Sequence, residues 1–158
     1  MDCEDQSMSV GGGAAWRRRR ERGAALVEFA IAATVFLTTT FAVLELGRLL
    51  WVHNALTDAT RRAARYAVNQ PQTAVADIKN VAVYGNKDGT GTPLVTDLTT
   101  DQVVVTYNNF GVGAGTVTVS IQNYDFRFVL PLVGTTMRLP AYSTTLTGEN
   151  SGWVPNPI

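Results

Sequence analysis

From Ala24 to Leu44 the chain is apolar apart from a single charge, Glu28, and no other feature so narrows what these 158 residues can fold into. The run is about 21 residues long, and at about 1.5 Å of rise per residue a helix of that length crosses the roughly 30 Å of hydrocarbon in a bilayer. A soluble core of this size rarely surrounds so long an apolar helix, so a membrane-spanning helix is the expectation. Thr34, Thr38, Thr39 and Thr40 lower its hydropathy. A threonine hydroxyl in a helix donates back to a carbonyl one turn earlier, which hides it from lipid.

Immediately before the run stand Arg17, Arg18, Arg19, Arg20 and Arg22, with Glu21 among them. Positive residues flanking a first span stay on the cytoplasmic side, so the chain after Leu44 is expected to be exported. Such a block also suits nucleic acid or acidic lipid, but its adjacency to a span makes topology the better account, and no nucleic-acid partner is expected. Residues 1–15 are small, polar and Gly-rich, without a hydrophobic period, and read as a disordered tail. The one cysteine, Cys3, has no intramolecular disulfide partner, and no apolar run precedes it to make a lipidation signal.

Past the span, helical spacing continues. Leu46, Leu49, Leu50, His53, Leu56, Thr60, Ala63, Ala64 and Ala67 fall on one face, and Asp58 lies one turn before Arg61 and Arg62. Pro71 closes the pattern, because the residue before a proline is pushed out of the helical region. A helix from Ala24 to Asn69 would be roughly 70 Å long, and its outer half needs a surface to cover it. Glu45 and Arg48 sit at the outer membrane boundary as an anchoring pair. Trp51 suits either the outer headgroup layer or packing under the exported domain.

Thereafter the pattern turns mainly to strand. Thr73 to Tyr84 reads as a short amphipathic helix with Val75, Ile78, Val81 and Ala82 inward, and Gly85 to Pro93 as a loop. Gln102 to Asn108 alternates, as does Thr116 to Leu130, where Val117, Val119 and Ile121 face one way; residues 109–115 join these two strands as a hairpin loop. Met137 to Gly148 supplies a third strand, with Pro140 pointing to an edge or a bulge. An isolated three-stranded sheet is marginal, so its apolar face should pack on the outer half of the helix. The expected fold class is α+β, with one long N-terminal helix against a small antiparallel sheet. The expected divisions are a cytoplasmic tail at 1–23, the span at 24–44, the exported helix at 45–70, a small α+β domain at 71–148 and a loose tail at 149–158.

Nothing in the sequence supports catalysis. His53 is the sole histidine, with no second metal ligand at a useful helical spacing. Gly111 to Gly115 resembles a nucleotide loop only superficially, because strands flank it and no helix N-terminus follows. Asp97, Asp101 and Asp125 are scattered among turn residues and do not form a calcium loop. Zero net charge, with 16% of residues charged, excludes a uniformly basic binder. No enzyme, metal or cofactor is expected.

The strings RGAALVEFAIAATVF and ELGRLLWVHNALTDATRRAARYA resemble the TadE-like family, minor pseudopilins of the tight-adherence (Flp) pilus assembly system of bacteria and archaea. The resemblance covers roughly Arg22 to Ala67. It implies a type IV pilin-like architecture in the cytoplasmic membrane, with an exported head and a role in assembling a pilus or related secretion filament. The implied partners are membrane lipid, other pilin or pseudopilin subunits, inner-membrane assembly proteins and a prepilin peptidase cutting between Gly23 and Ala24. Glu28, followed by Phe29, would then be the fifth residue of the mature helix and would set axial register by pairing with the freed amine of a neighbouring subunit. Taken alone, Glu28 could equally reach headgroups or pair with Arg22. The alternative function is an uncleaved, signal-anchored envelope protein whose exported domain binds a ligand or partner.

Overall fold

The structure is a computed structural model that describes residues 12–109, 115–129 and 136–148, with side chains described from Gly23 onward. The chain divides into two compact units, Met1–Leu44 and Glu45–Ile158. Helix α1, Gly12–Val68, runs through the boundary between them. It already includes Gly12 to Ala15, which the sequence reading had placed in the tail. The hairpin loop around Gly111, the C-terminal tail and Cys3 lie outside the described residues.

In the first unit, every described side chain from Gly23 to Leu44 is exposed except the half-buried Ala33. Among the described residues no core covers this stretch, which is long and apolar enough to cross a membrane. The hydroxyls of Thr34, Thr39 and Thr40 donate to the carbonyls of Ala30, Val35 and Phe36 at 2.8, 2.9 and 2.8 Å. Each hydroxyl is thereby satisfied within its own helix.

The second unit is built on the rest of α1. Val52, Leu56, Ala59, Thr60, Ala63, Ala64, Ala67 and Val68 are buried, at positions that recur every three or four residues. Four of these are alanines, whose small side chains let the helix backbone approach the sheet closely. Leu46, Leu50 and His53, grouped by periodicity on the same face, are exposed, because they lie beside the stripe of Leu49, Val52 and Leu56 that packs on the core. Beyond Val68, the Asn69 and Gln70 amides bond Tyr66 and Ala67 carbonyls in a last turn, and Pro71 prevents continuation.

Helix α2, Val75–Tyr84, buries Ile78, Val81, Ala82 and Val83. It ends at Gly85, whose φ of +77° is the left-handed conformation that glycine adopts without strain, and whose amide bonds the Val81 carbonyl at 3.1 Å. A three-residue 3₁₀ turn at Thr100–Gln102 leads into the sheet.

Among the described residues, the three strands expected from sequence are five. Strands β1 (Val103–Asn108), β2 (Thr116–Ile121) and β5 (Tyr142–Thr147) form an antiparallel sheet in the order β1-β2-β5. Strands β3 (Asp125–Arg127) and β4 (Thr136–Arg138) form a separate antiparallel pair. The stretch read as one strand from Thr116 to Leu130 breaks at Asn123, which has φ +57°. That bend is held by the Gln102 side chain donating to the Asn123 carbonyl at 2.9 Å. The stretch from Met137 breaks at Pro140, which has no amide to give to a ladder.

In the main sheet Val103 pairs with Ile121, which pairs with Tyr142, and Val105, Val119 and Thr144 form the next such row. Val103, Val117, Val119, Ile121 and Tyr142 are buried in one core with both helices. Their alternate neighbours, Thr106, Thr118 and Thr145 among them, form a hydroxyl-rich outer face on which Thr118 and Thr145 bond at 2.8 Å. Phe126 of β3, Leu56 and Ile78 are among the largest fully buried side chains, each contributing about 1.5–3 kcal/mol through its burial.

Candidate functional site

Two regions of α1 carry the residues singled out in the sequence. In the first unit, Gly23 is helical, and a Cβ added there would meet no atom within 4 Å. Ala24 and Phe29 are exposed. Glu28 is exposed as well, and no described side chain bonds it. Its helical neighbours one turn away, Ala24, Ala25, Ile31 and Ala32, are all apolar. Within lipid, a carboxylate with only apolar neighbours on its own helix favours a partner outside that helix. Arg17, Arg18, Arg19, Arg20 and Arg22 lie on α1, but their side chains are outside the described residues.

In the second unit, Glu45 and Arg48 form a 3.0 Å ion pair one helical turn apart. Their spacing brings both heads to the same side of α1. The Arg48 guanidinium also donates to the Arg127 carbonyl and lies over the Phe126 ring, 4.4 Å from its centroid. The second Glu45 oxygen accepts the Val129 amide at 3.2 Å. The pair therefore clasps the backbone that leaves β3 and roofs its buried phenylalanine. Glu45 is only 12% exposed at its side chain and Arg48 41%. Phe128 stacks edge-on against Phe126 at 5.1 Å, which completes the packing under the guanidinium.

Trp51, one turn further, is exposed. His53 is exposed on the helix surface, where its Nδ1 lies 2.9 Å from the Tyr142 hydroxyl, the rings meeting edge-on. Burial raises the Tyr142 phenol above its usual range. Tyr124 is raised as well, by burial first and then by Asp97, with Arg48 opposing, and its hydroxyl donates to the Thr96 carbonyl at 2.7 Å.

Two of the three scattered aspartates have ion-pair partners. Asp97 pairs with Arg127 at 3.7 Å and Asp125 with Arg138 at 3.0 Å. Asp58 reaches Arg62 at 3.7 Å, one of the two pairings its spacing allowed. Among the described residues no three His, Cys, Asp or Glu side chains gather as metal ligands would. What the second unit offers chemically is a rigid clasp of polar and aromatic groups.

Sequence reasoning found Glu45 and Arg48 but not Phe126, Arg127 and Val129, which meet them from about 80 residues along the chain. Periodicity along α1 contains no signal for that contact. The β3 residues alternate like any half-buried strand.

No curated protein and no solved structure matches the chain. The family model described as TadE-like protein matches residues 23–65. The match begins at Gly23 and contains Glu28, Phe29, Glu45, Arg48 and Trp51, in agreement with the resemblance read from the sequence. Together with the exposed apolar helix, it points to a membrane protein associated with Tad pili. Over residues 23–65, about a quarter of its length, the chain is similar to TadE-like proteins.

Proposed function

We infer that the protein is a membrane-anchored pseudopilin that takes part in assembling a Flp or tight-adherence type IV pilus or a related secretion filament. The observation that carries this reading is where the family match falls: it covers the apolar helix and the first turns beyond it, and stops at Arg65. In such a subunit this helix is both anchor and assembly surface. The arginines from Arg17 to Arg22 hold the N-terminus in the cytoplasm, and the domain after Leu44 is exported.

Peptidase cleavage between Gly23 and Ala24 would free an amine at the head of the helix. Glycine is the weakest helix former available there, about 1 kcal/mol worse than alanine, which favours local opening at that bond. Glu28 would then pair with the amine of a neighbouring subunit. An unpaired carboxylate in the membrane costs about 2.5–3.5 kcal/mol near its centre and less toward an interface, enough to favour one axial register over its neighbours. Glu45, Arg48 and Trp51 would sit at the outer boundary.

Affinity purification of the full chain from cells that make the pilus tests this reading. Other pilin-like subunits and inner-membrane assembly proteins should co-purify with the wild type. Glu28→Leu should reach the membrane in equal amount yet lose the pilin-like subunits. Retention of every partner by Glu28→Leu would remove the register role, and absence of all such partners from the wild type would contradict the assembly role.

A further inference from the structure

Strand β5 is an edge of the main sheet, whose order is β1-β2-β5. Which of its backbone groups face β2 follows from one bond: the Gly148 amide donates to the Gly115 carbonyl at 2.8 Å, and positions 148 and 115 continue the β2–β5 register. Bonded and non-bonded pairs alternate along an antiparallel ladder. Leu146, Thr144 and Tyr142 therefore bond β2, while the amides and carbonyls of Ser143 and Thr145 point away from the sheet. Both residues are exposed, and among the described residues nothing bonds those outward groups.

An open edge invites another strand, and proteins guard against it with charges, prolines or bulges. Strand β5 carries none of these. Its sequence, YSTTLT, is uncharged, and its pairing with β2 runs without interruption from Tyr142 to Thr147. The opposite edge is partly closed, because the outward amide of Val103 already bonds the Thr100 carbonyl.

The occupant follows from the pattern of β5 itself. Directly opposed residues in an antiparallel pair share a face, so a second β5 must meet the first with outer face against outer face. A two-fold axis at Thr144 achieves this. Ser143 and Thr145 of one copy then lie opposite Thr145 and Ser143 of the other, and exchange the amides and carbonyls that each leaves open. On the outer face hydroxyl meets hydroxyl, as Thr118 and Thr145 already do at 2.8 Å within one chain. On the inner face the buried Tyr142 meets the partly buried Leu146, an aromatic–aliphatic pair. No charge in β5 opposes its like.

We propose that β5 is a docking edge for a second copy of this chain, with two β5 strands joining two sheets into one across a two-fold axis at Thr144. The surface lies wholly within the second unit. It stands or falls independently of the membrane span and of the pilus role.

The test uses two tagged versions of the full chain, both with Cys3→Ser, produced together and oxidised in their membranes. One carries Ser143→Cys and the other Thr145→Cys, positions that the pairing sets about 5.5 Å apart between Cα atoms, within disulfide reach. A disulfide should join these two versions, and none should join Ser143→Cys to Val104→Cys, which is exposed on β1. Amide exchange supplies the second readout. In the wild type the outward Ser143 amide should exchange slowly. Thr145→Pro removes an outward amide without costing a bond to β2, so Ser143 should become fast while Thr144 stays slow. Equal disulfide yield from both pairs, or none from either, would overturn the proposal, as would fast exchange of Ser143 in the wild type. A slow Ser143 amide without the 143–145 disulfide would mean that a different strand fills the edge, and would overturn the second copy as its occupant. Fast exchange of Thr144 in the proline variant would mean a lost fold, and the disulfide comparison then decides alone.

Discussion

Glu45 divides its carboxylate between two partners, the Arg48 guanidinium at 3.0 Å and the backbone amide of Val129 at 3.2 Å. The second bond joins the residue that follows the apolar run to a strand exit 84 positions later. A local i,i+3 ion pair on a helix surface is worth only a few tenths of a kcal/mol. Its significance here lies in the backbone and ring it holds.

Removing the acceptor should loosen that strand exit. Glu45→Ala is expected to lower stability by about 1 kcal/mol, the scale of one hydrogen bond to a partly exposed charged group. Hydrogen exchange at the Val129 amide should speed up in the variant, while Glu45→Gln, which keeps an acceptor oxygen, should stay close to wild type. Equal exchange in all three would show that the bond does not hold the segment.

Arg48 acts through shape as well as charge. Arg48→Lys keeps the positive charge but loses the planar group over Phe126, so it should cost about 0.5–1 kcal/mol in chemical denaturation. Phe126→Ala, which empties a fully buried position, should cost about 3–5 kcal/mol. A lysine variant as damaging as the alanine would mean that the ring contact is not the main contribution of Arg48.

The alanines of α1 set the distance between helix and sheet. Ala63 is fully buried, and Ala63→Leu should destabilise the second unit by about 1–3 kcal/mol through overpacking. Leu46→Ala, an exposed position on the same helix, should change stability by less than about 0.5 kcal/mol. Thermal unfolding of the two variants side by side measures the contrast.

The Asp125–Arg138 pair gives the β3–β4 ladder a pH dependence. Hydrogen bonding to Arg138 is the first cause holding the Asp125 carboxyl below its ordinary range. A depressed folded value stabilises the pair above the ordinary aspartate pKa of about 3.9, and this contribution is lost as pH falls through the folded value. Amide exchange across Asp125–Arg127 should therefore accelerate on acidification below about pH 4, beyond the intrinsic change in rate. Asp125→Asn should lack that transition. A transition unchanged in Asp125→Asn would assign it to another group.

What the sequence revealed, and what it hid, follows from the range of the interactions. The long apolar helix was legible because its length and apolarity are both local. Val103 to Asn108 and Thr116 to Ile121 were legible because a half-buried strand writes its burial in alternation. Helix α2 was legible from its spacing, although its inward face includes Val83 where Val75 had been expected. The breaks at Asn123 and Pro140 were not, since each depends on a bond or an edge supplied from elsewhere. Leu46, Leu50 and His53 carry the same periodicity as Leu56 and Ala63, yet only the last two are buried in the core. Periodicity marks a broad face; which stripe of it the domain covers is decided by tertiary contacts. The clasp between Glu45, Arg48 and the β3 exit was hidden for the same reason.

The central claim is that this apolar helix belongs to a pilin-like subunit, released from its leader and built into an assembly. The most direct measurement is the mass and N-terminal sequence of the protein purified from membranes of cells with and without the prepilin peptidase, beside a Gly23→Arg variant. No side chain crowds position 23, so that substitution is expected to leave the helix intact. The account expects Ala24 as the first residue when the peptidase is present, and an uncut chain both in its absence and in Gly23→Arg. A chain that retains Gly23 and the residues before it under all three conditions would contradict the account and leave a permanent signal anchor in its place.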